Sequence, residues 1–145
     1  MNCLAAWRCR SYNHAMETES AAAPFRVCGA CKSAWPTWDG FVQDPSVRLL
    51  GLQSLAAEPG SNLLVFEHSC GSSISVLARR LRYLLPELES DAPLAVLFGT
   101  GECRGHCRLL KDLEACDAPC GNVRDRALIL LIQALKKTAG QSARA

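Results

Sequence analysis

The spacing of apolar residues predicts several short strands along the middle of the chain. Residues 47–53 and 63–69 are rich in Val, Leu and Phe, and each segment predicts a β-strand. Residues 58–62 between them carry Pro, Gly and Asn and predict a turn-rich loop. Residues 72–76 predict a further short extended segment, and residues 94–98 predict one more strand.

Helical patterns surround these strands. Thr37 is the predicted N-cap of a short helix, which Pro45 closes. Residues 77–85 predict an amphipathic helix, and a final helix is predicted from residue 123 to about Lys137, with Asn122 before it as the cap. The apolar faces of these two helices are Leu77, Leu81, Leu84 and Leu85 in the first, and Val123, Ala127, Leu130, Leu131, Ala134 and Leu135 in the second.

The two ends of the chain show no such pattern. Residues 1–24 predict a disordered N-terminal extension, and residues 139–145 predict a flexible tail. Met16 is a candidate natural start, with residues 1–15 as an upstream extension. The first residues do not resemble a signal peptide, and no run reaches the roughly 18 apolar residues of a membrane span. These features predict a cytoplasmic protein without membrane contact.

Composition adds one clear signal, which is the cysteine content. Sixteen Lys and Arg against fourteen Asp and Glu leave a net charge of +2, too small to indicate an anionic partner. Nine cysteines are many for 145 residues, and their number is odd. In a reducing compartment, clustered thiols point to metal binding or redox work rather than to disulfides.

A first set of metal-ligand residues consists of Cys28 and Cys31, in a Cys-x-x-Cys turn, and His68 and Cys70, two apart on a predicted strand. Three thiolates and one imidazole form a closed tetrahedral set that is typical of structural zinc. The alternatives are buried thiols beside a hydrogen-bonded histidine, or a thioredoxin-like redox motif. The redox alternative lacks a βαβ setting, and Pro36 follows the motif closely.

A second set comprises Cys103, Cys107, Cys116 and Cys120, in two Cys-x3-Cys pairs, with His106 as a fifth candidate ligand. Cys120 precedes the predicted final helix, where the helix dipole favours a thiolate. Zinc, an iron–sulfur cluster, redox-active thiols and inert buried cysteines are all compatible with this spacing. A second zinc ion is the favoured prediction, ahead of an iron–sulfur cluster.

Other features weigh less in the functional prediction. The arginines Arg79, Arg80 and Arg82 could contact nucleic acid, but no interleaved aromatic residues accompany them, so a solvated helix face is favoured. No Ser/His/Asp arrangement, carboxylate pair or phosphate-binding loop stands out, which predicts that the protein is not an enzyme. The predicted core against the first metal site consists of Trp35, Trp38 and Phe41.

The segments CGACKSAWPTWDGFVQDPSVRLLGLQ and LLVFEHSCGSSISV resemble a group of small bacterial cysteine-rich proteins. That group shares a Cys-x-x-Cys, a Trp/Phe-rich stretch, a Gly-x-Gln strand and a Phe-x-His-x-Cys-Gly motif, and the resemblance covers about residues 25–130. It implies a zinc-ribbon-like centre at Cys28, Cys31, His68 and Cys70. Members often have a further cysteine where this chain has Asn122, which counts against an iron–sulfur site.

Together these features predict an α+β fold with a small zinc-ribbon-like β-hairpin core. Residues 25–90 form the predicted zinc-ribbon-like module, and residues 91–138 form a cysteine-rich loop together with the C-terminal helix that follows it. The favoured function is a non-enzymatic zinc-binding module that contacts another protein. A thiol-based redox or metal-sensing protein that uses the second cysteine set is the alternative, and a nucleic-acid-binding zinc ribbon is the third candidate.

Overall fold

The computed structural model describes residues 22–55, 58, 60–87 and 94–142. The predicted extension up to residue 21, the candidate start at Met16, the predicted module boundary at residue 90, and residues 143–145 lie outside this part. The elements are β1 (Arg26–Val27), β2 (Ala34–Trp35), α1 (Trp38–Gln43), β3 (Val47–Gln53), β4 (Leu63–His68), β5 (Ser73–Leu77), a long 3₁₀ helix (Ala78–Leu84), a short 3₁₀ helix (His106–Arg108) and α2 (Val123–Ser142). The predicted α+β class is confirmed.

Two antiparallel sheets carry the first half of the fold. β1 pairs with β2, and β3, β4 and β5 form a three-stranded meander in that order. The strand predicted at 47–53 is confirmed, and those predicted at 63–69 and 72–76 are confirmed to within one residue. The register of β3 against β4 shifts between Leu49 and Gly51. A Cβ atom on Gly51 would lie 1.6 Å from the carbonyl oxygen of Leu110, so only glycine permits this close approach.

An aromatic cluster fills the space between α1 and the three-stranded sheet. Thr37 caps α1 as predicted, because its Oγ1 accepts a hydrogen bond from the Gly40 amide at 3.1 Å. Phe41 is fully buried and packs edge-on against Phe66, with ring centroids 5.0 Å apart. Trp35 and Trp38 are also buried against Phe41, so the predicted aromatic core is confirmed.

α2 is longer than predicted and buries a different face. It continues to Ser142 instead of ending near Lys137. Leu130 of the predicted face is 42% exposed, and the buried face consists of Asp125, Arg126, Leu128, Ile129 and Ile132. Because the buried face begins with two charged residues, the pattern of apolar residues in the sequence did not predict it. Within the described part of the chain, no helix combines the length and the apolar character needed to cross a membrane.

Two further elements differ from prediction. The segment predicted as an α-helix at 77–85 is a 3₁₀ helix, in which Ala78 and Leu81 are buried and Leu84 is partly buried against the core. Their spacing of three residues matches the three-residue turn of a 3₁₀ helix, so all three face the core. Residues 94–98 form no strand, because the Ala95 carbonyl accepts a hydrogen bond from the Gly121 amide instead of joining a sheet.

A buried polar network joins the meander to α2. Asn62 Nδ2 donates to Asn122 Oδ1 at 2.8 Å and to Asp125 Oδ2 at 2.9 Å. Arg82 Nε donates to Asp125 Oδ1 at 2.7 Å, and Asp125 is fully buried. At the other end of α2, Lys136 Nζ donates to the carbonyl oxygens of Val42 and Asp44. The helix is therefore fixed to the first half of the fold at two points.

Candidate metal centre

Two tight turns present the first set of candidate ligands. The turn between β1 and β2 carries Cys28 and Cys31, and it closes through hydrogen bonds from the Cys28 amide to Ser33 and from the Lys32 amide to the Cys28 carbonyl. Lys32 has a φ of 64°, and its Nζ donates to the Gly29 carbonyl at 2.7 Å, which stabilises this left-handed conformation. The turn therefore places both sulfur atoms on one side.

The turn between β4 and β5 supplies the other two ligands. The His68 amide donates to the Ser72 carbonyl, and the Gly71 amide donates to the His68 carbonyl at 2.8 Å. Gly71 has a φ of 87°, a conformation that glycine adopts without steric cost. This glycine lets the chain reverse at once after Cys70, so that Cys70 and His68 stay on the same side of the turn.

The four donor atoms converge on one point. Cys28 Sγ lies 3.6 Å from Cys70 Sγ, and His68 Nδ1 lies 3.4 Å from Cys31 Sγ and 3.1 Å from Cys70 Sγ. Metal–sulfur bonds of about 2.3 Å and tetrahedral angles place two sulfurs about 3.8 Å apart around one zinc ion. All four atoms lie within 4.8 Å of one another, so these residues fit a single metal ion.

Hydroxyl groups around the sulfurs favour the thiolate form. Ser72 Oγ lies 2.9 Å from Cys28 Sγ and 3.1 Å from Cys70 Sγ, and Ser33 Oγ lies 3.2 Å from Cys31 Sγ. The hydrogen bond from Ser72 and those from the backbone lower the pKa of Cys28 to about 5. A thiolate is the form that binds a metal, so the hydroxyls prepare the site for one. The sequence signal for them was a serine two residues after each of two ligand cysteines.

The aromatic core orients the histidine ligand. The Trp35 ring meets the His68 ring edge-on, with centroids 5.2 Å apart, and Trp35 Nε1 donates to Asp44 Oδ2 at 2.7 Å. Burial opposes a charge on His68, yet the nearby Cys28 and Cys31 sulfurs raise its pKa overall. Cys28 and His68 are buried, while Cys31 and Cys70 are exposed. The site is thus at the surface on one side and enclosed by core side chains on the other.

The second set of cysteines is arranged differently. Cys103, Cys107, Cys116 and Cys120 all line one pocket, together with His106. Among the residues that the structure describes, however, the first set is the one group of three or more candidate ligands that are placed to hold a metal ion together. His106, the predicted fifth candidate ligand, has its Nδ1 3.0 Å from Asp112 Oδ2, so this contact engages one of its two ring nitrogens.

Arg126 also lines this pocket, and the sequence did not predict it there. Arg126 is 1% exposed, lines the pocket with the four cysteines, and donates hydrogen bonds to the carbonyl oxygen of His106 and to Asp112 Oδ1, each at 3.1 Å. A third hydrogen bond goes to the Glu114 carbonyl. The available signal was an arginine three residues before Ile129, on the same helical face as the buried apolar residues of α2.

Comparisons of this chain with protein-family models, with curated proteins and with solved structures found no match. The resemblance to small bacterial cysteine-rich proteins therefore stays a prediction that rests on the motifs alone.

Proposed function

We propose that this chain is a non-enzymatic zinc-binding protein, in which the zinc ion fixes the fold and the folded surface contacts another protein. The observation that carries the proposal is the convergence of Cys28, Cys31, His68 and Cys70, with all donor atoms within 4.8 Å. Zinc is the ion that tetrahedral sites of sulfur and nitrogen ligands favour.

The ligand set supports a structural role for the ion. Four protein ligands complete a tetrahedron and leave no position for a substrate or a reactive water molecule. The ion would join the β1–β2 turn to the β4–β5 turn. Because β1 and β2 have only two residues each, their own hydrogen bonds give this turn little support, and the ion would supply the rest. All seven cysteines of the described residues are unpaired, which supports a reducing compartment such as the cytoplasm.

The exposed face of the long 3₁₀ helix supports a protein partner over nucleic acid. Tyr83 is 72% exposed there, and Arg79 and Arg80 are also exposed. Arg82, the third residue of the basic motif, is paired with the buried Asp125, so its charge is already compensated. Tyrosine and arginine are enriched at protein–protein interfaces, while two free cations supply little of the charge that nucleic acid requires.

Metal content tests the zinc proposal directly. We expect native mass spectrometry to show one zinc ion that depends on the first site, and the Cys70→Ser variant to lose it. The neighbouring Ser69→Ala variant is the matched control and should keep the ion. Cobalt substitution gives a second readout, because thiolate-to-cobalt absorption should fall in step with each removed cysteine. Unchanged zinc content in the Cys70→Ser variant would contradict the proposal.

The partner proposal is tested on the exposed tyrosine. Cross-linking in cells should recover a protein set that is lost with the Tyr83→Ala variant and retained with Arg48→Ala, a change at another exposed site. Identical sets with both variants would count against this surface. Binding of labelled RNA or DNA that weakens steeply with salt would instead support the nucleic-acid candidate, because phosphate contacts release counterions.

A further inference from the structure

A cavity of about 330 Å³ lies between the end of α2 and the beginning of β3. Its walls come from the end of α1 and the loop after it, from the first two residues of β3, and from the last two turns of α2. Two cations, Arg48 and Lys136, line the cavity, and none of the described residues that line it is acidic. Small-molecule sites in proteins have volumes of about 300–1,000 Å³. The cavity is therefore large enough for a small molecule, and its charge favours an anionic one.

Two backbone carbonyl groups hold Lys136 at the wall of this cavity. Its Nζ donates to the carbonyl oxygen of Val42 at 2.8 Å and to that of Asp44 at 3.3 Å. Lys136 takes part in none of the ion pairs among the described residues. An ammonium group has three N–H donors, whereas a neutral amine has two N–H donors and one lone pair. The two carbonyl oxygens therefore match the neutral amine, whose lone pair stays available for reaction.

The surroundings of Lys136 also favour the neutral amine. Burial lowers the pKa of Lys136, and the negative charge of Asp44, at the end of α1, opposes only part of this effect. The other charged group at the cavity is Arg48, on β3. Each unit by which a lysine pKa falls raises the fraction of neutral amine at neutral pH about tenfold. The neutral amine is the nucleophilic form, and desolvated lysines of this kind form imines with carbonyl compounds.

Arg48 gives the cavity a group that can bind an oxyanion. Its Nη2 donates to Glu67 Oε2, and Glu67 is the one hydrogen-bond partner of this guanidinium among the described residues. A guanidinium has five N–H donors, so several remain for a ligand. Guanidinium groups bind carboxylate and phosphate oxygens through two parallel hydrogen bonds. A carbonyl compound with such a group could therefore contact Arg48 and Lys136 together.

We propose that Lys136 captures a small aldehyde that carries a carboxylate or phosphate group, through a reversible imine, and that Arg48 binds the anionic group. The observations that carry the proposal are the cavity, the two cations that line it, and the pair of carbonyl acceptors at Lys136 Nζ. The site is independent of the zinc proposal, because neither Lys136 nor Arg48 is a candidate zinc ligand.

Imine formation at Lys136 needs no reactant besides the aldehyde. The Nζ lone pair forms a bond to the carbonyl carbon, the π electrons of the C=O bond move to the oxygen, and one amine proton follows to give a carbinolamine. The hydroxyl group then leaves with the second amine proton as water, and a C=N bond forms. When solvent protonates this imine, it has one N–H, which can still donate to the Val42 carbonyl. Addition of water reverses these steps.

Reductive labelling of the folded chain tests the capture of aldehydes. The full-length protein is incubated with pyridoxal phosphate near neutral pH, the imine is reduced with cyanoborohydride, and labelled lysines are identified by peptide mass spectrometry. We expect several-fold more label on Lys136 than on Lys137, its exposed neighbour, and no difference between them in urea. Equal labelling of the two lysines in the folded protein would overturn the proposal. A preference for Lys136 that persists in urea would also overturn it, because the cavity would then play no part.

A matched pair of aldehydes tests the role of Arg48. Succinic semialdehyde and butanal have the same chain length, and only the first carries a carboxylate. We expect succinic semialdehyde to label Lys136 several-fold more than butanal does, and the Arg48→Met variant to remove this difference. A preference that survives in Arg48→Met would refute the role of Arg48. Labelling by pyridoxal phosphate compared with succinic semialdehyde distinguishes phosphate from carboxylate as the preferred group.

Discussion

The two cysteine sites of this chain are carried by different kinds of backbone. The first lies on two turns, and the strands that flank each turn are paired. The hydrogen bonds between these strands hold the ligand atoms at distances that suit one metal ion. The second lies on a segment that has one short 3₁₀ helix and is fixed mainly by side chains such as Arg126. The difference shows that paired strands, more than the number of cysteines, bring candidate ligands together around one point.

The largest expected effect comes from removing a ligand of the compact site. Cys28→Ser should largely unfold the segment from β1 to β5, since structural zinc contributes roughly 10–16 kcal/mol in small zinc-binding peptides. Circular dichroism and thermal melting measure this loss. Unchanged spectra and melting temperature would show that the site does not hold the fold. The matched control is Cys116→Ser, in the pocket of the second cysteine set. It should leave the β-strand contribution to the circular dichroism spectrum unchanged.

The second prediction is that the β-meander and α2 unfold together. Arg82→Met leaves the Asp125 carboxylate fully buried without its cation, which typically costs about 3–5 kcal/mol. Because Asp125 also binds Asn62, both regions should lose stability in one transition. Urea unfolding followed by tryptophan fluorescence and by hydrogen exchange of α2 would measure it. Arg80→Met, at an exposed neighbour, is the control, and an equal loss there would refute the buried-pair explanation.

A third prediction concerns the contact between β3 and the cysteine-rich segment. Gly51→Ala would place its Cβ 1.6 Å from the Leu110 carbonyl oxygen, so one of the two backbones must move. Overpacking of this kind costs about 1–3 kcal/mol and sometimes more. We expect a lower melting temperature, which thermal melting followed by circular dichroism measures. Gly101→Ala, where a Cβ meets no atom within 4 Å, should behave as wild type.

The smallest effect is expected at the surface of the meander. Arg48 and Glu67 form an ion pair with side chains 68% and 41% exposed. Pairs of this kind contribute about 0–1 kcal/mol because water and salt screen them. Arg48→Ala should therefore change the midpoint of urea unfolding only slightly and leave the zinc content unchanged. If Arg48→Ala lowers the free energy of unfolding as much as Arg82→Met does, then burial does not explain why the two ion pairs differ in strength.

The compact site could be predicted from sequence because its ligands follow local rules. Two residues between Cys28 and Cys31 define a turn, and one residue between His68 and Cys70 places both on one side of a strand end. Gly71 marks the reversal that follows. The joining of the two pairs depends on the β-meander, whose strands also carried a clear apolar pattern.

The four cysteines of the second set could be grouped from sequence, but the arrangement of their pocket could not be predicted, because its determinants are long-range. The spacing of Cys103, Cys107, Cys116 and Cys120 fixes no backbone geometry when the segment between them forms neither strand nor α-helix. The buried face of α2 begins with Asp125 and Arg126, which a hydrophobicity pattern assigns to the surface. Their burial depends on partners 43 and 63 residues away for Asp125 and up to 20 residues away for Arg126.

The bond from Lys136 to the carbonyl oxygen of Val42 has a consequence for the order of events during synthesis. It spans 94 residues and holds the end of α1, a helix of six residues that is too short to be stable alone. The ribosome completes the zinc-binding turns well before it makes α2. The four proposed zinc ligands are therefore made before Ile129 and Ile132, which belong to the same core cluster as Phe41 and Phe66. Until α2 is made, the nascent chain exposes an apolar surface to which a chaperone would bind.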